Sequence, residues 1–361
     1  MRDRVPCNKM LMKDILGMTK TELRELAVSM GESAFRGEQL YGWMMKGREI
    51  ADMKNLPASF KEKLAENAEY RLPSILEKYV SAKDGTVKYL MELTDGECVE
   101  CVLMKYDHGT TLCVSSQAGC RMGCSFCAST LRGKTRDLTA SEILGQVLVA
   151  ARDSGDRVDG VVMMGIGEPF DNYDNTVKFL RLVSAEGGPG IGLRHISVST
   201  CGLVDGIKRL AGEGLPVTLS ISLHAYNDDV RSSLMPINRK WCIAELMDAC
   251  RYYFDTTGRR ISFEYTLIAG ENDSAEGAEA LGRLLRKEMG DRPCHVNLIL
   301  LNPVKETGLT APGRQNSEKF CRVLEKCGIN ATIRRRLGGD IDASCGQLRL
   351  RRLDDGKGDN M

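Results

Sequence analysis

From residue 111 onward, apolar and polar positions repeat in one order: a short run of β-formers, then a longer stretch with an apolar residue every three or four positions. The short runs are "TLCVSS", "GVVMMG", "HISVST", "VTLSISL", "ISFEYTLI", "HVNLILL" and, near the end, "ATIRR". The longer stretches cover 139–152, 172–186, 203–213, 241–254, 274–289 and 315–327. Strands alternating with helices join through right-handed crossovers and build a parallel sheet. The expected fold is therefore α/β, with six units forming a partial (βα)6 barrel, an eight-unit barrel short of two. Residues 1–75 read instead as helical: "TKTELRELAVSMG" opens with a Thr19 cap and Glu22 three residues on, and "RGEQLYGWMMKG" and "PASFKEKLAENA" follow. Trp43, Met44 and Met45 belong to the core of that module. Residues 76–106 alternate with period two, and Asp84-Gly85 and Asp95-Gly96 punctuate them as hairpin turns. The expected organisation is a helical accessory module (1–75), an antiparallel meander and linker (76–110), the barrel (111–335) and a C-terminal segment (336–361).

In barrels of this kind ligands gather at the C-terminal ends of the strands. Small or polar groups do collect there: Gly167, Glu168 and Pro169 after the second strand, Ser199, Thr200 and Cys201 at the third, Ser222, Leu223 and His224 at the fourth, Asn302-Pro303 after the sixth. The first strand runs into "SSQAGCRMGCSFCAST", with Cys120, Cys124 and Cys127 in a C-x3-C-x2-C run.

Composition narrows what those thiols do. The chain has 361 residues, 42% hydrophobic and 27% charged, as ordinary soluble proteins have. No run approaches the ~18 apolar residues of a membrane span, and the N-terminus lacks a secretory pattern, so the expected location is cytoplasmic. Fourteen cysteines in such a chain point to metal or thiol chemistry rather than to a disulfide framework. Cys242, Cys250, Cys321 and Cys327 fall in helical stretches and read as small core hydrophobes. The net charge of +1 gives no global attraction to nucleic acid, but Arg334, Arg335, Arg336, Arg349, Arg351 and Arg352 cluster near the end. That cluster is either a phosphate grip or a solvated basic surface.

A structural zinc site wants four ligands, and the fourth would come from elsewhere in the chain, from His108 or His224 for example. An iron–sulfur cuboid held by three thiolates leaves one iron open to a small chelating molecule. The spacing and its place after the first barrel strand resemble the radical S-adenosylmethionine (radical SAM) superfamily. That resemblance implies a [4Fe-4S] cluster on Cys120, Cys124 and Cys127. It also implies SAM chelating the open iron through its amino and carboxylate groups, and reductive cleavage to a 5′-deoxyadenosyl radical. "GIGEP" resembles the superfamily's glycine-glutamate motif, which contacts the SAM amino group.

Two further stretches sharpen the likeness: "VECVLMKYDHGTTLCVSSQAGC", with Glu100 and Cys113, and "TIRRRLGGDIDASCGQL", with Cys345. With "GIGEPFDN", "ISVST", "SISLHAYND", "MPIN" and "LNPV" they resemble the RlmN family from the N-terminal module to about residue 350. The resemblance implies methylation of carbon 2 of an adenosine in 23S rRNA, at the peptidyl-transferase centre, and of the adenosine 3′ of the anticodon in tRNA. Carbon 2 lies between two ring nitrogens and is too electron-poor to attack a methyl donor, so the methyl group must first become a radical, and a thiolate can hold it in the meantime. By the resemblance, Cys345 takes a methyl from a first SAM, and the deoxyadenosyl radical from a second abstracts a hydrogen from it. The carbon then adds to adenine, Glu100 is the general base, and Cys113 releases the product as a Cys113–Cys345 disulfide. Two SAM molecules serve each turnover, contacted by Gly167, Glu168, Ser199, Ser222, Leu223, His224 and Asn302. An external flavodoxin- or ferredoxin-like electron donor is implied, and monomer is the default state.

Read from residues alone, Glu100 is a strand carboxylate in solvent, Cys98 and Cys101 are strand residues, and Cys201 is packing. The Cfr relative, which modifies carbon 8 of the same rRNA adenosine, shares most of these motifs; "GEP" in place of its "GEA" favours carbon 2. A zinc-stabilised RNA-binding protein and a thiol–disulfide oxidoreductase are the alternatives outside this chemistry.

Overall fold

The computed structural model describes residues 12–304, 306–341, 346–350 and 352. Cys345 and Arg351 lie outside the described residues. The N-terminal module is built on β1 (Lys13–Asp14), α1 (Lys20–Ser29), α2 (Ala34–Met44), α3 (Ala58–Asn67) and β2 (Ala68–Glu69). The Thr19 hydroxyl accepts from the Glu22 N–H, and Glu22 accepts from the Thr19 N–H, so the expected capping box starts α1. Helices α1 and α2 cross closely because Gly37 has no side chain: a Cβ there would lie 2.3 Å from the Leu23 carbonyl oxygen. β1 pairs with β2 and ties the two ends of the module together. Leu23, Leu40, Met44, Phe60 and Leu64 are buried in an apolar core that continues into the barrel's helix layer.

Three antiparallel strands follow, β3 (Ser74–Val80), β4 (Val87–Glu92) and β5 (Cys98–Tyr106). β6 (Gly109–Cys113) pairs antiparallel with β5 on one side and parallel with β9 (Gly160–Met163) on the other. Between them, β7 (Gln117–Gly119) and β8 (Lys134–Asp137) form a small ladder that brackets the cysteine loop, and α4 (Ala140–Ser154) leads into β9. The chain continues through α5 (Tyr173–Ser184), β10 (Ile196–Thr200), α6 (Val204–Gly212), β11 (Thr218–Ser222), α7 (Asp228–Leu234) and α8 (Ile243–Thr257). It ends with β12 (Ile261–Leu267), α9 (Ala275–Met289), β13 (Cys294–Leu300), α10 (Arg314–Lys326) and β14 (Ala331–Ile333). Among the described residues, β3 to β6 and β9 to β14 make one open ten-stranded sheet with strands in chain order. The meander is thus continuous with the barrel wall. Among the described residues, no helix is long and apolar enough to cross a membrane.

A parallel sheet covered on both faces normally reads as continuous apolar runs. Here the strands alternate, and the register explains why. Val198, Leu219, Phe263, Val296 and Leu298 are fully buried and pack in the main core. The other face carries polar rows: Ser199 beside Ser220, Ser220 beside Ser262, Ser222 beside Glu264, Glu264 beside Asn297 and Asn297 beside Thr332. That polar face lines the barrel lumen, where the candidate site lies.

Candidate active site at the barrel mouth

The cysteine loop is fixed by backbone geometry before any ligand is considered. Gly119 has φ of +82° and passes so close to Gly133 that an added Cβ would lie 2.0 Å from its carbonyl oxygen; only glycine fits. The Cys120 N–H donates to the Gly133 carbonyl at 3.1 Å, the Cys127 N–H to the Cys124 carbonyl at 3.1 Å, and the Ser125 N–H to Leu234 at the end of α7 at 2.9 Å. Cys120 is buried, and Cys124 and Cys127 are half-buried. Burial pushes the Cys120 thiol up to about 12 and also raises Cys124, with neighbouring thiols adding to both shifts. Three thiolates therefore suit this loop only alongside strong positive charge, which is the donor chemistry an iron–sulfur cluster uses. Among the described residues no group of three or more His, Cys, Asp or Glu is set to hold a single metal ion. A cuboidal cluster, which gives each thiol its own iron, makes no such demand.

One cavity joins this loop to the strand ends. Its lining includes Cys120, Cys124, Cys127, Gly167, Glu168, Ser199, Ser222, His224, Glu264 and Arg334. Gly167 has φ of +107°, and a Cβ there would meet Gln117 at 2.6 Å. The turn it permits buries Glu168, whose Oε2 accepts the Cys201 N–H at 2.7 Å and whose Oε1 accepts the Phe170 N–H at 3.0 Å. Burial pushes that carboxyl up, and the two N–H donors pull it back. His224 is held with φ of +54°, its Nδ1 accepting the Thr266 N–H at 2.9 Å and its ring edge-on to Phe126 of the cysteine loop. Burial brings its pKa down to about 3, so it is neutral and its other nitrogen carries the proton.

Two buried residues here were not singled out in the sequence. Arg231, on α7, donates to the Cys201 carbonyl at 2.7 Å, to Asn238 at 2.9 Å and to the Ser222 and Leu223 carbonyls at 3.3 Å, tying the ends of β10 and β11 together. Its helix falls between the helical stretches that the sequence marks, and Asn238 in "MPIN" is the one hint. Glu264 accepts from Ser262 at 3.0 Å and from Asn297 at 2.7 Å in the middle of the lumen.

A second cavity adjoins the first and shares Met164, Ile299 and Arg334 with it; Cys113, Asn302, Arg335 and Arg336 complete its polar and thiol lining. Leu223 is fully buried and lines neither cavity. Glu100 lines neither, and it is not the solvent-facing strand carboxylate that its residue type suggests. It is 1% exposed, 3.0 Å from the Lys88 ammonium, and accepts the N–H groups of Gly346 and Arg349 at 2.9 and 2.8 Å. The C-terminal arginines also separate. Arg349 is buried against the Cys98 carbonyl and Glu97, while Arg352 is exposed. His108 sits in the β5–β6 turn, stacked on Tyr106, at the opposite end of β6 from the cysteines. Cys98, Cys101 and Cys250 are buried as packing residues; Cys201 is buried too but borders the lumen.

An α/β sheet with three loop thiols at its C-terminal mouth and a buried glycine-glutamate turn beside them defines a radical SAM enzyme. A match to the Radical SAM superfamily spans residues 114–281. A second match, to the ribosomal RNA large subunit methyltransferase N-terminal domain, spans residues 13–70. The chain is 47% identical over 348 residues to the "Probable dual-specificity RNA methyltransferase RlmN" of Clostridium acetobutylicum, covering 96% of this chain and 100% of that protein. It is 53% identical over 338 residues to the protein of the same name from Pelotomaculum thermopropionicum, covering 93% and 91%. The crystal structure of a radical SAM methyltransferase from Sphaerobacter thermophilus matches with a TM-score of 0.88 at 44% identity, covering 93% of this chain and 98% of that one. The chain belongs to the RlmN family.

Proposed function

We propose that this protein methylates carbon 2 of adenosine in RNA: in 23S rRNA at the peptidyl-transferase centre, and in tRNA at the adenosine 3′ of the anticodon. The observation that carries the reading is the pair of adjoining cavities. One is lined by the three loop cysteines and Glu168, the other by Cys113, Asn302 and arginines, with a common wall at Met164, Ile299 and Arg334.

Cys120, Cys124 and Cys127 would hold the cluster, with Gly167, Glu168, Ser199, Ser222, Leu223, His224 and Asn302 as the SAM-binding set. When bound, a [4Fe-4S] cluster and SAM supply one electron and a 5′-deoxyadenosyl radical. The chain's own residues do the rest. Cys345 holds the methyl carbon, taken from one SAM, while a second serves the radical step, so two are used per turnover. Cys113 frees the modified base by forming a disulfide with Cys345. Glu100 is the proton acceptor, and its three donors leave one lone pair for the proton. His224, neutral and with Nδ1 accepting the Thr266 N–H, orients and does no acid–base work. Arg334, Arg335 and Arg336 suit a phosphate backbone at the cavity entrance. The target base leaves its stack to reach the cavity, as chemistry on a base edge demands. The electron comes from an external flavodoxin- or ferredoxin-like donor, and the enzyme acts as a cytoplasmic monomer.

The test is anaerobic reconstitution with iron and sulfide, methyl-labelled SAM and an rRNA or tRNA fragment, followed by base analysis. Label in 2-methyladenosine is the expected result. Label at carbon 8 replaces this reading with the Cfr activity, and no labelled base overturns it.

A further inference from the structure

The described residues of the C-terminal segment that flank 342–345 are held by the meander on both sides. On one side the Gly338 N–H donates to Asp84 at 2.9 Å, and Asp340 accepts from the Ser81 hydroxyl at 2.7 Å and the Ala82 N–H at 3.0 Å. On the other, Gly346 and Arg349 donate their N–H groups to the two oxygens of Glu100. Arg349 reaches on to the Cys98 carbonyl and Glu97, and Leu348 packs between Leu90 and Cys98. The residue next to Cys345 is therefore hydrogen-bonded to a buried carboxylate.

That carboxylate has a buried cation beside it. The Lys88 ammonium is 3.0 Å from Glu100 Oε2, and neither side chain is exposed. Burying an ion pair is costly, and replacing it by apolar groups is often neutral. A fully buried lysine on a hairpin strand thus needs a reason other than stability. Lys88 and Leu90 share a face of β4, as do Val102 and Glu100 of β5, so the pair is a cross-strand diagonal that fixes the carboxylate's direction toward the segment.

We propose that Lys88 is a positioning residue: by fixing the direction of the Glu100 side chain toward the N–H groups of Gly346 and Arg349, it seats the segment that carries Cys345. The inference rests on the proposed role of Cys345 as methyl carrier. Without Lys88, Glu100 loses the 3.0 Å contact that fixes its direction, and the two backbone donors lose an aligned acceptor.

Hydrogen–deuterium exchange on the full reconstituted enzyme reads the seat directly. In Lys88→Met, amides at 346–350 exchange faster by about tenfold or more, the weight of one charge-assisted hydrogen bond, while those of α5 and α8 are unchanged. RNA methylation falls in kcat by a similar factor, with KM for RNA within about twofold, because the loss lies in the reactive arrangement rather than in substrate binding. Tyr89→Phe is the control: it faces the other side of β4, bonded to Asp153 at 2.8 Å, and leaves segment exchange as it was. Unchanged exchange at 346–350 overturns the proposal, whatever the rate does. Faster exchange with an unchanged kcat overturns it equally, since the seat would then not serve the reaction. Should Lys88→Met fail to fold, Lys88→Met/Glu100→Gln, which leaves neither member of the pair charged, is compared with Glu100→Gln by exchange alone: faster exchange at 346–350 in the double variant is expected, and equal exchange overturns the proposal. A Cys345→Ala variant that still methylates RNA would refute the methyl-carrier reading, and the exchange result alone would then decide whether Lys88 seats the segment.

Discussion

The backbone N–H of Cys201 donates to Oε2 of Glu168 at 2.7 Å, so the end of β10 is fastened to the turn after β9 through a buried carboxylate. In Glu168→Ala that N–H and the Phe170 N–H are left without acceptors in a buried place. The expected loss is about 2–4 kcal/mol in urea unfolding, together with loss of SAM retention in equilibrium dialysis. Glu168→Gln, which keeps a carbonyl oxygen, loses less of the stability. An alanine variant that unfolds like the parent would show that these bonds carry no weight.

Arg231 performs the same service one strand further on, with four partners around one guanidinium. Arg231→Met removes the donors and strands the carbonyls of Cys201, Ser222 and Leu223. A loss of at least about 3 kcal/mol is expected, and Arg231→Lys should not restore it, because a point charge cannot serve a fork of acceptors. Chemical denaturation of the three proteins decides this.

His224 sets a pH dependence. Its pKa is about 3 in the fold, where burial dominates, against about 6.5 when unfolded. The unfolded chain therefore takes up a proton that the folded one refuses. This group's contribution is intact above pH 6.5 and is lost as pH falls towards 3, amounting to about 2 kcal/mol by pH 5. His224→Asn keeps a side-chain acceptor and tolerates the positive φ. Its stability should fall less between pH 7 and pH 5 by about that amount, and parallel curves for the two proteins would refute the assignment.

Cys113→Ala tests the release step. If Cys113 frees the base from Cys345, this variant accumulates protein carrying RNA through a covalent bond, visible as a shifted band on a denaturing gel with labelled RNA. The Cys113→Ala/Cys345→Ala double variant shows no such band. Free methylated RNA at the normal rate from Cys113→Ala would remove Cys113 from the reaction.

Much of this architecture was legible because physics writes it locally. The alternation in "HISVST" and "VTLSISL" marks strands with one apolar and one polar face, and the Asp-Gly pairs mark the turns of the meander. Thr19 and Glu22 announce α1 because the cap is made within four residues. What could not be read depends on contacts distant in sequence. Glu100 resembles any strand carboxylate until the C-terminal segment folds back onto β5. Arg349 looks like Arg335 in a list of residues, yet one is buried against a carbonyl and the other lines a cavity. The helix α7 was missed because its arginine and aspartates suggest a wet surface, whereas the guanidinium is fully buried.

The two-faced wall divides labour between the fold and its chemistry. Positions such as Val198, Phe263 and Leu298 bear the packing against the helices, while Ser199, Ser222 and Asn297 look into the lumen and bear little of it. A lineage can therefore rewrite the inner row, altering which molecule it accommodates, without unsettling the scaffold that presents it.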